Sequence, residues 1–145
     1  MKTPLVTLFA IISLMTSGLS IAAGGTGGHV TIRVEGIQQL QGQAVFVLMD
    51  SESSHIGDSP VYSKTIEPVD SLYSIAEFDL PSGEYSVVVY HDVNANGKLD
   101  TWFYGKPKEP YGFSNDARSV FGIPSFEESR FVVGSKNTQL RITVK

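Results

Sequence analysis

Glu84-Tyr85-Ser86-Val87-Val88-Val89-Tyr90-His91-Asp92-Val93-Asn94-Ala95-Asn96-Gly97-Lys98-Leu99-Asp100 changes character once, at Asp92. Before it, Tyr85, Val87 and Val89 alternate with Ser86, Val88 and Tyr90, the period-2 pattern of a strand. After it, apolar residues thin out and short oxygen-bearing side chains recur. Leu80-Pro81-Ser82-Gly83 upstream has turn composition. Further out, Val30, Ile32 and Val34 alternate with Thr31, Arg33 and Glu35. Ala44 to Met49 is apolar on both faces, as suits a central strand covered on both sides. Val61 to Ile66 and Leu72 to Phe78 give weaker strands, and Arg130 to Val133 and Leu140, Ile142 and Val144 give the last two. No apolar stripe with the 3.6-residue helical period occurs after the N-terminal segment. About seven short strands separated by turn signals predict an all-β, antiparallel β-sandwich.

One segment resists this pattern. Phe103 to Ser125 holds Gly, Pro and the aromatics Phe103, Tyr104, Tyr111, Phe113 and Phe121, with little alternation. A loop of this length is usually functional or disordered. Aromatics at this density oppose disorder. The expectation is one long ordered loop packed on the sandwich and held by something.

The chain has 145 residues, enough for one domain. Its zero Cys excludes disulfide scaffolds, thiol catalysis and Cys-type metal sites. Its 11 basic against 15 acidic residues argue against nucleic acid as a partner. Met1-Lys2, an apolar run from Leu5 to Met15 and the small residues of Ser20-Ile21-Ala22 fit a secretory signal peptide over 1–22. The rival is an uncleaved anchor over Pro4 to Ala23. Thr7, Ser13, Thr16, Ser17 and Gly18 interrupt the run and favour cleavage. The remainder then reads as a flexible leader, 23–28, and a single domain, 29–145. The expected location is the periplasm or the medium, with no membrane span once the signal is removed.

The loop after the strand carries the chemistry. Asp92, Asn94, Asn96 and Asp100 stand at relative positions 1, 3, 5 and 9, with Gly97 at 6 and the Lys98 carbonyl available at 7. This is the spacing by which a curled loop wraps calcium, a hard cation that takes about six to eight oxygens. Position 12 is Phe103, where a helix-flanked calcium loop has a bidentate Glu. A replacement acid from the long loop, Glu109 or Asp116, would tie that loop to the strand end. The competing reading is a tight Asx and Gly turn without an ion.

The same residues resemble a bacterial signature. His91-Asp92-x-Asn94-x-Asn96-Gly97-Lys98-Leu99-Asp100-Thr101 followed by Gly105-x-Pro107-x-Glu109-x-Tyr111-Gly112-Phe113-Ser114-Asn115 is similar to the pattern of the exported, uncharacterised family DUF2141. Leu80-Pro81-Ser82-Gly83-Glu84-Tyr85 and Pro124-Ser125-Phe126 resemble its flanking segments. The resemblance implies a prealbumin-like or immunoglobulin-like sandwich, similar to carboxypeptidase regulatory-type modules, and no established activity. Trp102 and Pro110 stand where a polar residue and Gly are common in the family.

Other constellations are weaker. His29, His55 and His91 lack the paired spacing of a zinc or copper site. Ser51, Ser53 and Ser54 lie near His55 without a nucleophile elbow. Glu127-Glu128 reads as a solvated strand edge whose neighbours point to opposite faces. Trp102, Tyr104, Tyr111 and Phe113 form either an aromatic platform for sugar or peptide or a cluster packing the loop. The reading that follows is an exported binding or structural module. Its calcium loop would order a surface that presents itself to an unknown protein or small-molecule ligand. A small-ligand binder using the aromatic loop is the alternative, and a metal-assisted hydrolase ranks third.

Overall fold

The computed structural model describes residues 26–145. The signal segment, 1–22, and the start of the leader lie outside the described residues. Among the described residues, eight strands form two sheets. The first has the order β4-β1-β8, from β1 (Gly27–Glu35), β4 (Tyr73–Pro81) and β8 (Thr138–Thr143). The second has the order β3-β2-β5-β6, from β2 (Gln43–Met49), β3 (Ser63–Pro68), β5 (Gly83–Asp92) and β6 (Tyr111–Phe113). β7 (Phe131–Val133) pairs with the start of β5. The all-β sandwich expected from the alternation is therefore the fold.

The core lies between the sheets. Val30, Ile32 and Val34 of β1 meet Phe46 and Leu48 of β2 and Val87 and Val89 of β5, all almost fully buried. Ala44, Val45, Phe46, Leu48 and Met49 are buried on both faces of β2, which sits between β3 and β5. The both-faces apolar run thus marks the central strand, as read.

Four features differ from the expectation. The pairing is not wholly antiparallel, because β8 runs parallel to β1. The leader does not extend to residue 28: Gly27 and Gly28 already pair with Pro81 and Leu80 in β1. Glycines have no side chain to alternate, so their strand leaves no periodic trace. The long loop is broken by β6, whose Val88–Phe113 to Tyr90–Tyr111 register adds it to β5. A strand of three residues is too short to show a period. A 3₁₀ turn over Ser114–Asp116 follows it directly.

Lastly, two single-turn helices appear, α1 (Glu52–His55) and α2 (Phe126–Ser129). Each opens on a reciprocal capping box, Ser51 with Ser54 and Ser125 with Glu128. Glu127-Glu128 is therefore helical and not a strand edge. Glu128 caps α2, while Glu127 pairs with Arg130 at 2.6 Å. The Ser-x-x-Glu pattern at 125–128 is the sequence signal for this helix start.

Candidate functional site

The oxygen-rich loop leaves the end of β5 and turns on itself. Asp92 is fully buried. Its carboxylate accepts the Asn96 N–H at 3.1 Å, the Gly97 N–H at 2.6 Å and the Gln43 amide at 2.8 Å. Ala95 and Gly97 take positive φ, 56° and 79°, which curls the chain back over Asp92. Asn94 Nδ2 donates to Asp100 at 2.7 Å, and Asn96 Nδ2 donates to both its oxygens at 3.1 Å. Asp92, Asn94, Asn96 and Asp100 thus lie within one small hydrogen-bonded loop. The Lys98 N–H closes the bend onto Asn96 Oδ1 at 2.9 Å.

Of the two remote acids, only Glu109 reaches the site. Its Oε1 accepts the Val93 N–H at 2.9 Å and its Oε2 the Asp100 N–H at 3.1 Å. One carboxylate therefore clamps both ends of the loop. Asp116 is elsewhere: it accepts the Thr143 N–H at 2.8 Å and finishes the edge of β8. Asp116 also has positive φ, 49°, within the 3₁₀ turn, and this turn carries it away from the oxygen-rich loop.

Several residues of this site had no signal in the sequence. Gln43 reaches Asp92 because the β2–β5 register places the two opposite each other. Lys64 Nζ and the Tyr90 hydroxyl both donate to the Gly97 carbonyl, at 2.7 and 3.2 Å. Burial, with Asp92 and Glu109 nearby, raises the Tyr90 pKa above its ordinary value, so this hydroxyl stays a donor. His91 Nε2 donates to the Gln41 carbonyl at 2.8 Å, which fixes its tautomer and joins the strand end to the β1–β2 connection.

Asp100 is held below its ordinary carboxylate pKa, first by Asn96 and then by Asn94 hydrogen bonding. A depressed folded pKa stabilises the fold above the unfolded value, and this stabilisation is lost as pH falls through the folded one. Asn96→Ala is expected to move the Asp100 midpoint up toward the ordinary value. A carbon-detected NMR titration of the side-chain carboxyl measures it, and an unchanged midpoint would contradict the assignment of cause.

The candidate ligand atoms here are oxygens throughout: the Asp92 and Asp100 carboxylates, two amides and a carbonyl, with Glu109 engaged by the Val93 and Asp100 N–H groups. That set suits a hard cation. Among the described residues, no group of three or more His, Cys, Asp and Glu side chains gathers as a metal cluster. The set depends on amide and backbone oxygens. The histidines are each engaged separately. His29 bonds Asp79 at 2.8 Å, and His55 bridges Ser86 and the Pro124 carbonyl at 2.9 and 2.7 Å. Ser54 and Ser51 are consumed by the α1 cap. The buried Ser86–His55 pair serves to hold the 117–125 segment against β5.

The aromatic residues divide. Phe113 is buried and meets Tyr111 edge-on at 6.2 Å. Trp102 and Tyr104 stand on an exposed hairpin, their rings parallel at 6.4 Å. A cleft of about 520 Å³ separates the groups, lined by Val88, Leu99, Tyr104, Tyr111, Phe113 and Ile123 among others. Trp102 does not line it, so the four aromatics do not form one platform.

No curated protein and no solved structure matches the chain. The family model described as an uncharacterized protein conserved in bacteria matches residues 32–141, from β1 to β8 and across the whole oxygen-rich loop. The chain therefore belongs to the DUF2141 family.

Proposed function

We propose that this chain is an exported binding or structural module. In this reading a calcium-type cation loop stiffens the segment that presents the binding surface. Export rests on the charged start, apolar run and small-residue end of residues 1–22. Among the described residues no helix is long and apolar enough to cross a membrane. The observation that carries the cation reading is the convergence of Asn94 and Asn96 on Asp100, above a buried Asp92 and beside Glu109. Turning either exposed amide brings its oxygen, in place of its N–H, toward Asp100. Asp92, Asn94, Asn96, the Lys98 carbonyl and Asp100 would hold the ion, and Glu109 keeps the loop closed around it.

Glu109 also limits what the ion must do. The loop ends are already clamped, so the cation adds rigidity to a formed loop. With a dissociation constant of about 10⁻⁴–10⁻³ M, 1 mM calcium adds roughly 0.4–1.4 kcal/mol. That corresponds to a rise in melting temperature of about 2–6 °C. Calorimetry with calcium and with chelator checks this. Asp100→Ala, at a half-buried position, is expected to remove the rise while the chain still folds. A melting temperature indifferent to calcium would sink the reading.

The cleft beside Tyr111 and Phe113 favours a second reading, a small-ligand binder with any ion structural. Its floor is apolar and its rim carries Thr101, Ser119 and Lys106, the composition of a site for a sugar or peptide side chain. Ligand-detected NMR against short sugars and peptides tests it, with Ile123→Trp as the variant that fills the cleft and abolishes any signal.

A further inference from the structure

Asn96-Gly97 is the chain's only Asn-Gly step; Asn94, Asn115 and Asn137 are followed by Ala, Asp and Thr. At such a step a backbone nitrogen most readily attacks the side-chain amide before it, because glycine has no Cβ to cover its own nitrogen. The attack joins Gly97 N to Asn96 Cγ in a cyclic imide. It needs an amide carbon beside the nitrogen, an acceptor for the N–H proton and a donor for the carbonyl oxygen.

The loop supplies all three. Asn96 Oδ1 accepts the Lys98 N–H at 2.9 Å, an Asx turn that lays the side-chain amide along the peptide that follows it. The same N–H stands where negative charge gathers on Oδ1 during attack. Gly97 N–H points at Asp92 Oδ2 at 2.6 Å. An N–H lies in the peptide plane, so this bond leaves both faces of the nitrogen free. Asn96 is exposed and Gly97 half-buried, so water reaches the pair.

We propose that Asn96 is a site of covalent self-modification, converted through the imide to an aspartate in the folded chain, and that the product loop holds a cation more tightly. In the first step the Gly97 N–Cγ bond forms and the Cγ–Nδ2 bond breaks. The Gly97 proton passes to the Asp92 carboxylate and on, through water, to the departing ammonia. In the second step water adds at Cγ, the Cγ–N bond breaks and Gly97 N regains a proton. One water is taken up and one ammonia released. The Lys98 N–H polarises the Cγ carbonyl in both steps. It thereby draws water to Cγ and away from the backbone carbonyl, where attack would give isoaspartate. The aspartate product also restores the Gly97 bond to Asp92, which the imide lacks.

The conversion stands apart from the cation reading, and its consequence rests on that reading. Asn96 Nδ2 donates to both Asp100 oxygens at 3.1 Å. After conversion a carboxylate faces a carboxylate there. A cation between them relieves the repulsion, and calcium affinity in oxygen loops rises with ligand charge.

The full chain is held at neutral pH, folded and in denaturant, and sampled by peptide mapping with mass spectrometry. The expected result is conversion confined to Asn96 and about tenfold faster in the folded chain, a modest part of what a positioned base gives. Isoaspartate methyltransferase should label little of the product. Gly97→Ala, where a Cβ meets nothing within 4 Å, should lose most of the conversion, and Asp92→Asn should lose the folded-state advantage. A folded chain that converts more slowly than the denatured one would overturn the proposal, since the loop would then protect Asn96. So would an Asp92→Asn chain that converts as fast as the parent, or isoaspartate as the main product. Calorimetric titration then compares the parent with Asn96→Asp, which should bind calcium about tenfold tighter. Equal affinities would overturn the gain in cation binding. Binding by neither form would overturn the cation reading itself, while the peptide map still decides the modification.

Discussion

Asp92→Ala is expected to cost the domain about 3–5 kcal/mol and to abolish any calcium response. The cost follows from what the carboxylate does without an ion. It is fully buried and accepts from two backbone N–H groups and the Gln43 amide. Alanine leaves all three donors without their acceptor at a buried point of the loop. A fully buried abandoned donor costs about 1–3 kcal/mol, a bond to a charged acceptor sits at the upper end, and the partial burial of these three donors lowers each share. The loss is a large part of the roughly 5–15 kcal/mol that holds a typical domain. Asp92→Asn separates the two roles, since it keeps the volume and one acceptor but sets an N–H₂ against a backbone N–H. It should lose about 1–3 kcal/mol and remain folded, so its calcium response can be read directly. Denaturant midpoints give the stabilities. An Asp92→Ala midpoint within experimental error of the parent would mean that water enters the loop and replaces the carboxylate.

What the sequence could tell depended on whether a feature was local. The strand ending at Asp92 and the alternate oxygens that follow it are contiguous, so their spacing carried both the strand and the loop. Val30, Ile32 and Val34 announced a half-buried strand through period alone. The parallel pairing of β1 with β8 joins residues about a hundred apart, such as Val30 with Thr138, and no pattern within either strand encodes direction. β6 was too short to alternate, though Tyr111-Gly112-Phe113 lies in register on β5.

The site divides in the same way. Glu109 and Asp116 were equal candidates from composition. The choice fell to geometry, because Pro110 and β6 keep Glu109 beside the loop: the Pro110 carbonyl accepts the His91 N–H at 2.8 Å. Asp116 lies past the strand and turns toward β8. Gln41, Gly42 and Gln43 back the loop from the β1–β2 connection, yet read as plain polar linker. Their role exists only once β2 lies against β5.

Gly42→Ala is expected to be nearly as damaging as the loss of Asp92, for a reason of space. Gly42 has φ of +74°, and a Cβ there would stand 2.2 Å from the Asp92 carbonyl oxygen and 2.7 Å from that of Val93. Both obstacles are backbone, so no side chain can swing away. The left-handed conformation alone costs an alanine about 1–2 kcal/mol. The clash adds the work of displacing the end of β5, for about 3–5 kcal/mol in all. Gly97 supplies the internal standard. Its φ is +79°, but a Cβ there meets nothing within 4 Å. Gly97→Ala should therefore cost only the conformational part, about 1–2 kcal/mol. The difference between the two variants isolates the contact of the β1–β2 connection with the first residues of the oxygen-rich loop. Because that contact lies behind Asp92, Gly42→Ala should also disturb the NMR signals of the Asn96 and Gly97 amides, which bond to its carboxylate. Equal stability losses at the two glycines would show that the connection yields freely and that Asp92 is held by its own loop alone.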